Sequence, residues 1–140
     1  MVALMVVCTD FSPCSEEALP RAAELAKLDD ARVLLVNVSH QSVKHGVPAA
    51  GWDEGARRKL LAARRKYFGG LSDNEVQYDV LPGGDSAAAI CDVARKNGAS
   101  LIVMGSHGRT GVVRQLLGSV AENVVRHAPC SVMVVRSSSD

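Results

Sequence analysis

Ser100-Leu101-Ile102-Val103-Met104-Gly105-Ser106-His107-Gly108-Arg109-Thr110-Gly111 sets four large apolar residues in a row and then turns abruptly to glycine and small polar residues. A short run that is apolar at every position suits a strand covered by helices on both faces, as in a parallel sheet. The glycine-rich segment continues to Gly118, and Ser119-Val120-Ala121-Glu122 opens a helical pattern. A buried strand, a glycine-rich loop and a helix, in that order, put the loop at the carboxyl edge of the sheet, where open α/β sheets bind ligands.

The same alternation extends outward in both directions. Upstream, Asp85 is placed to cap a helix over Ser86–Lys96 that Gly98 terminates, and Glu75–Leu81 alternates polar and apolar residues as a strand. A helix is predicted over Trp52–Phe68, ended by Gly69-Gly70, and Ser39–Gly51 reads as a surface loop. Arg32–Val38 is a further strand. Ser12 and Pro13 mark a helix start as N-cap and first residue, with Glu16 and Glu17 in the first turn and Pro20 as a predicted kink. Val2–Val7 is the first strand, and Ser131–Val135 the last. The order β-α-β-α-β-α-β-α-β with right-handed crossovers gives one doubly wound α/β domain over residues 1–140, with a five-stranded parallel sheet.

Composition agrees. At 140 residues the chain can bury roughly two-thirds of its unfolded surface, so a disulfide or metal staple is not required. Apolar residues make up 47% and the net charge is +1, which argues against disorder and against a global field recruiting nucleic acid or membrane. The apolar stretch Met1–Cys8 is too short to span a bilayer and lacks the basic flank of a signal peptide. Cys8, Cys14, Cys91 and Cys130 are widely spread without a C-x-x-C pair, so reduced thiols in a cytoplasmic protein are expected.

The chemistry is expected in the glycine segment. Gly105 would permit a sharp exit from the strand, and Gly108 would let backbone N–H groups approach an anion. Gly118-Ser119 places small residues where helix amides and the dipole favour phosphate. Ser119-Val120-Ala121-Glu122 also fits a capping box, which would account for Ser119 by itself. No Gly-Lys-Ser/Thr occurs, and G-x-x-G-x-x-G after the fourth strand is not the dinucleotide fingerprint. Without the phosphate-gripping lysine, fast phosphoryl transfer has no support.

The pattern G-x2-G-x9-G-Ser at Gly105, Gly108, Gly118 and Ser119 resembles the nucleotide-binding motif of universal stress proteins. Thr9-Asp10-Phe11-Ser12 looks like that family's opening motif, and Leu117–Val124 like its closing one. The resemblance implies strand order 3-2-1-4-5 and a cytoplasmic stress-response protein of the ATP-binding branch. It implies a nucleotide-sensing module with little or no hydrolysis, and a site for ATP, ADP or AMP with Mg²⁺ carried by the phosphates. Carried over by position, Cys8, Thr9 and Asp10 would line the nucleoside side and the Val38 backbone would read the adenine edge. Met104 would pack on the ligand. Gly105, Ser106, His107, Gly108, Arg109 and Thr110 would hold ribose and phosphates, and Gly118, Ser119 and Val120 would close the phosphate site. Asp10 could instead serve only as a capping carboxylate, Arg109 could point to solvent, and His107 is expected to be structural or solvent-facing. The family often has proline at the position of Cys8. Cys14 lies at a helix amino end, which can favour thiolate chemistry, but both thiols also read as small buried apolar groups.

Two rival readings stay open: a slow ATPase or nucleotidyl transferase on the same scaffold, and a ligand-free dimerisation or partner-binding domain. Arg57-Arg58-Lys59 and Arg64-Arg65-Lys66 flank a core-facing stripe of Ala56, Leu60, Ala63 and Tyr67. With no interleaved aromatic platform they read as a solvated face in preference to a nucleic-acid patch. Val132–Val135 is an edge strand by the implied order and lacks protective charge or proline, so a homodimer through this strand is expected.

Overall fold

The computed structural model describes residues 4–37, 52–107 and 117–137. Among the described residues nine elements alternate: β1 (Leu4–Thr9), α1 (Pro13–Asp29), β2 (Arg32–Asn37), α2 (Trp52–Phe68), β3 (Val76–Val80), α3 (Ser86–Lys96), β4 (Leu101–Gly105), α4 (Ser119–His127) and β5 (Ser131–Val135). All strand pairs are parallel, in the order β3-β2-β1-β4-β5.

The period-two alternation of the strands sorts the core into two layers. Met5 and Val7 of β1 join α1 and α2 in one cluster, with Leu19, Leu60 and Phe68 fully buried. Val6 and Cys8 face the other way and meet Ile90 and Cys91 of α3 and Ala121 and Val124 of α4. The stripe expected on α2 is seen in Ala56 and Leu60, with Ala63 and Tyr67 half-buried beside them. Of its basic residues, Arg57 pairs with Asp79 of β3 and Arg64 with Asp73, while Lys59 lies over the Phe11 ring and Lys66 over Tyr67.

Several expected boundaries are met and others move. Ser12 caps α1 by accepting from the Ser15 amide at 3.3 Å, and Asp85 caps α3 by accepting from Ala88 at 3.1 Å. Helix α1 runs unbroken through Pro20, which sits exposed in its interior. Strand β1 continues two residues past Val7, because Cys8 buries as an apolar side chain and both Cys8 and Thr9 pair with β2. Strand β4 likewise includes Gly105. Val38 and the loop to Gly51 lie outside the described residues, as do Gly108, Arg109 and Thr110.

β1 and β4 are neighbours although two strands, β2 and β3, separate them in sequence order, so the chain reverses its winding direction between them. Their ladder runs from Met5–Leu101 to Val7–Val103 and then ends. Beyond it each strand pairs only outward, Cys8 with Val36 and Thr9 with Asn37 on one side, Met104 with Val134 and Gly105 with Val135 on the other. The carboxyl ends of the two central strands therefore part. This is the switch point at which doubly wound sheets place their ligands.

Candidate functional site at the switch point

The turn from β1 into α1 is held by its own side chains. Asp10 is buried, and its Oδ1 accepts from the Ser12 amide at 2.9 Å and from the Ser15 hydroxyl at 2.8 Å. Thr9 Oγ1 lies 3.1 Å from Ser15 Oγ and accepts from the Phe11 amide at 3.0 Å. Asn37, at the end of β2, donates from Nδ2 to the Thr9 carbonyl at 3.0 Å. Phe11 takes a left-handed conformation with φ 66°, a cost that this network of buried bonds offsets. The carboxylate of Asp10 thus works first as a local organiser of the turn, the capping role left open by its sequence.

Ser15 and Asn37 were not among the residues singled out above. Ser15 is the hub of the network, and the signal for it is the Ser12-x-x-Ser15 spacing at a helix start. Asn37 is the amide that ends a strand after four consecutive apolar residues, Val33 to Val36.

Gly105 is a glycine for a reason other than a sharp strand exit. It lies within β4, and a Cβ there would come within 2.9 Å of the Ser15 Cα and 3.0 Å of the Cys14 carbonyl oxygen. The missing side chain lets the first turn of α1 press against the end of β4. Ser106, fully buried, then ties three elements together: its amide donates to the Val135 carbonyl at 3.0 Å, and its carbonyl accepts from the Gly118 amide at 2.7 Å. Its hydroxyl lies 3.1 Å from His107 Nδ1 and 3.5 Å from Cys14 Sγ. His107 is buried, so of its two expected roles, structural or solvent-facing, burial fits the structural one; the neighbouring hydroxyl gives its ring a polar partner inside.

Helix α4 begins differently from the capping-box expectation. Gly118, not Ser119, is the N-cap, with extended backbone (φ −68°, ψ 164°), and among the described residues no side chain caps the helix. The first helical bond runs from the Glu122 amide to the Gly118 carbonyl at 2.9 Å, and the Glu122 carboxylate pairs forward with Arg126 at 3.0 Å instead of reaching back. Ser119 is exposed and Val120 half-buried in the first turn. The opening amides of α4 therefore carry the partial positive charge of a helix start, with no carboxylate or hydroxyl cap from the described residues.

Of the other residues expected to line the site, Cys8 and Met104 send their side chains into the apolar cluster beneath α3 and α4. Burial pushes the Cys8 thiol strongly up in pKa, with Cys91 adding to the effect, so it stays a neutral apolar group. The structure thus brings Thr9, Asp10, Gly105, Ser106 and His107 to one edge of the sheet, with Gly118 hydrogen-bonded to Ser106 at the entry to α4. Among the described residues no group of three His, Cys, Asp or Glu could hold a metal ion, and no helix is long and apolar enough to cross a membrane.

A universal stress protein from Methanocaldococcus jannaschii is 36% identical over 94% of this chain and 81% of its own length. Among solved structures, the protein MJ0577, described in a structure-based assignment of biochemical function, superposes with a TM-score of 0.81 at 26% identity, covering 98% of this chain and 97% of its own. Two more distant structures share the fold. A universal stress protein in complex with cAMP has a TM-score of 0.74 at 23% identity, covering 97% of this chain and 98% of its own. The one from Archaeoglobus fulgidus in complex with dAMP has a TM-score of 0.65 at 24% identity, covering 96% of this chain and 97% of its own. The family model for the universal stress protein family matches residues 1–136, and the chain belongs to that family.

Proposed function

We propose that this chain is an adenine-nucleotide-binding module of a cytoplasmic stress response, built as one domain over residues 1–140, which holds ATP without appreciable hydrolysis. The observation that carries this reading is the uncapped start of α4 beside a switch point where β1 and β4 part. Helix amides of this kind take phosphate oxygens, and a phosphate there gains both hydrogen bonds and the dipole. Gly118, Ser119 and Val120 would close on the phosphates together with Gly108, Arg109 and Thr110. The parted strand ends would take the nucleoside, with Thr9 and Asp10 on one wall and the Val38 backbone on its adenine edge. The two ligand-bound structures of the same fold share adenine and one phosphate, which is the part of the ligand this geometry would grip.

Asp10 has one carboxylate oxygen already committed to two donors, so Mg²⁺ would enter with the triphosphate and be held chiefly by it. Binding and not turnover is favoured because the sequence has no Gly-Lys-Ser/Thr to supply a phosphate-gripping lysine. The half-buried apolar edge strand β5 is read as the homodimer contact. Native mass spectrometry of freshly purified protein tests both points: it should show a dimer retaining adenine nucleotide, and Val134→Lys should shift it to monomer. Purification without nucleotide, together with no calorimetric response to Mg-ATP, would overturn the binding reading.

A further inference from the structure

Cys14, Ser106 and His107 form a chain across the switch point from two different elements. Cys14 is the second residue of α1, Ser106 and His107 follow β4, and the close approach that joins them exists because Gly105 has no side chain. The Cys14 thiol is half-buried with its sulfur 3.5 Å from Ser106 Oγ, and that oxygen lies 3.1 Å from His107 Nδ1. With the imidazole hydrogen on Nε2, the hydroxyl donates to Nδ1 and its lone pair accepts from the thiol. A nucleophile within reach of a base through one hydroxyl is the arrangement by which a weakly acidic group is activated. Cys8 and Cys91 are buried, and burial raises the pKa of both and of half-buried Cys130.

We infer that Cys14, Ser106 and His107 constitute a nucleophilic thiol site that reacts with hydroperoxides. The thiol proton passes to Ser106 Oγ while the hydroxyl proton moves to His107 Nδ1. The sulfur attacks the terminal peroxide oxygen, the S–O bond forms and the O–O bond breaks. The departing alkoxide takes the proton held at His107 and leaves as the alcohol. Sulfur is oxidised to the sulfenic acid and the peroxide is reduced. The site needs no nucleotide and stands or falls independently of the binding proposed above.

The test uses the intact chain with hydrogen peroxide and dimedone, a trap for sulfenic acids, and reads each cysteine by peptide mass spectrometry. Cys14 should be trapped at least about tenfold faster than Cys130, which is half-buried like it. Ser106→Ala and His107→Gln should each bring the Cys14 rate down towards that of Cys130 and leave Cys130 unchanged. A Cys14 rate no greater than that of Cys130 in the unaltered chain overturns the proposal without reliance on any variant. So does an unchanged Cys14 rate in both variants. Iodoacetamide labelling of buried Cys8 reports any variant that has loosened its fold, and for such a variant the ratio in the unaltered chain decides.

Discussion

The two helices that start at the switch point begin in opposite ways. α1 turns Ser12, Asp10 and Ser15 back onto its own opening, so its first amides are met from within the chain. α4 begins at a glycine that offers nothing in return. Both starts carry a helix dipole, and a capped start has already spent the donors that an anion would use. The lesson is that a sheet edge with two helix starts need not have two anion sites. Here the side chains close one and leave the other open, and the closed one serves as the wall against which the other is positioned.

The largest effect that could break this contrast comes from the contact between the two starts. Gly105→Val places branched carbons against Ser15 Cα and the Cys14 carbonyl, neither of which can yield cheaply. A loss of about 3 kcal/mol in urea unfolding is expected, at the upper end for overpacking. Stability equal to that of the parent chain would mean that α1 does not press on β4.

Removing the hub of the closed start should cost less. Ser15→Ala leaves Asp10 Oδ1 and Thr9 Oγ1, both buried, one partner short, and about 2 kcal/mol should be lost in the same measurement. An effect confined to a few tenths would show that the network is not what seals α1.

The smallest effect concerns the layer beneath both starts. The buried Cys8 thiol keeps its proton in the fold, whereas in the unfolded chain it ionises above about pH 8.5. Above that pH the unfolded state binds fewer protons, so stability falls as pH rises, by at most about 1.4 kcal/mol per unit from this group. Below it the contribution is fully present. Cys8→Ala should make the decline between about pH 8.5 and 10 shallower, with Cys91 leaving some slope in the same direction.

Much of the fold is legible in the residues themselves. The apolar runs of β2 and β4, the caps Ser12 and Asp85, and Gly98 with its left-handed φ of 63° past α3 each follow from local chemistry. What was not legible arises between distant segments. The reason for Gly105 is a helix turn about ninety residues away, and the carboxylate of Asp10 is occupied by a serine that no apolar pattern marks. The cap of α4 falls one residue before the one the capping box implied, and Glu122 pairs with Arg126 one turn ahead of it. The link from Cys14 to His107 through Ser106 is likewise a product of the parallel order, invisible in spacing alone.

The account rests on the open start of α4, and Gly118→Asp tests it most directly. The N-cap backbone there is extended, a conformation open to any residue, so an aspartate would supply to α4 the kind of cap that α1 already has. Calorimetric titration with Mg-ATP should then show affinity reduced by more than about tenfold while thermal stability holds or rises slightly. Undiminished affinity in a stably folded Gly118→Asp protein would contradict the account.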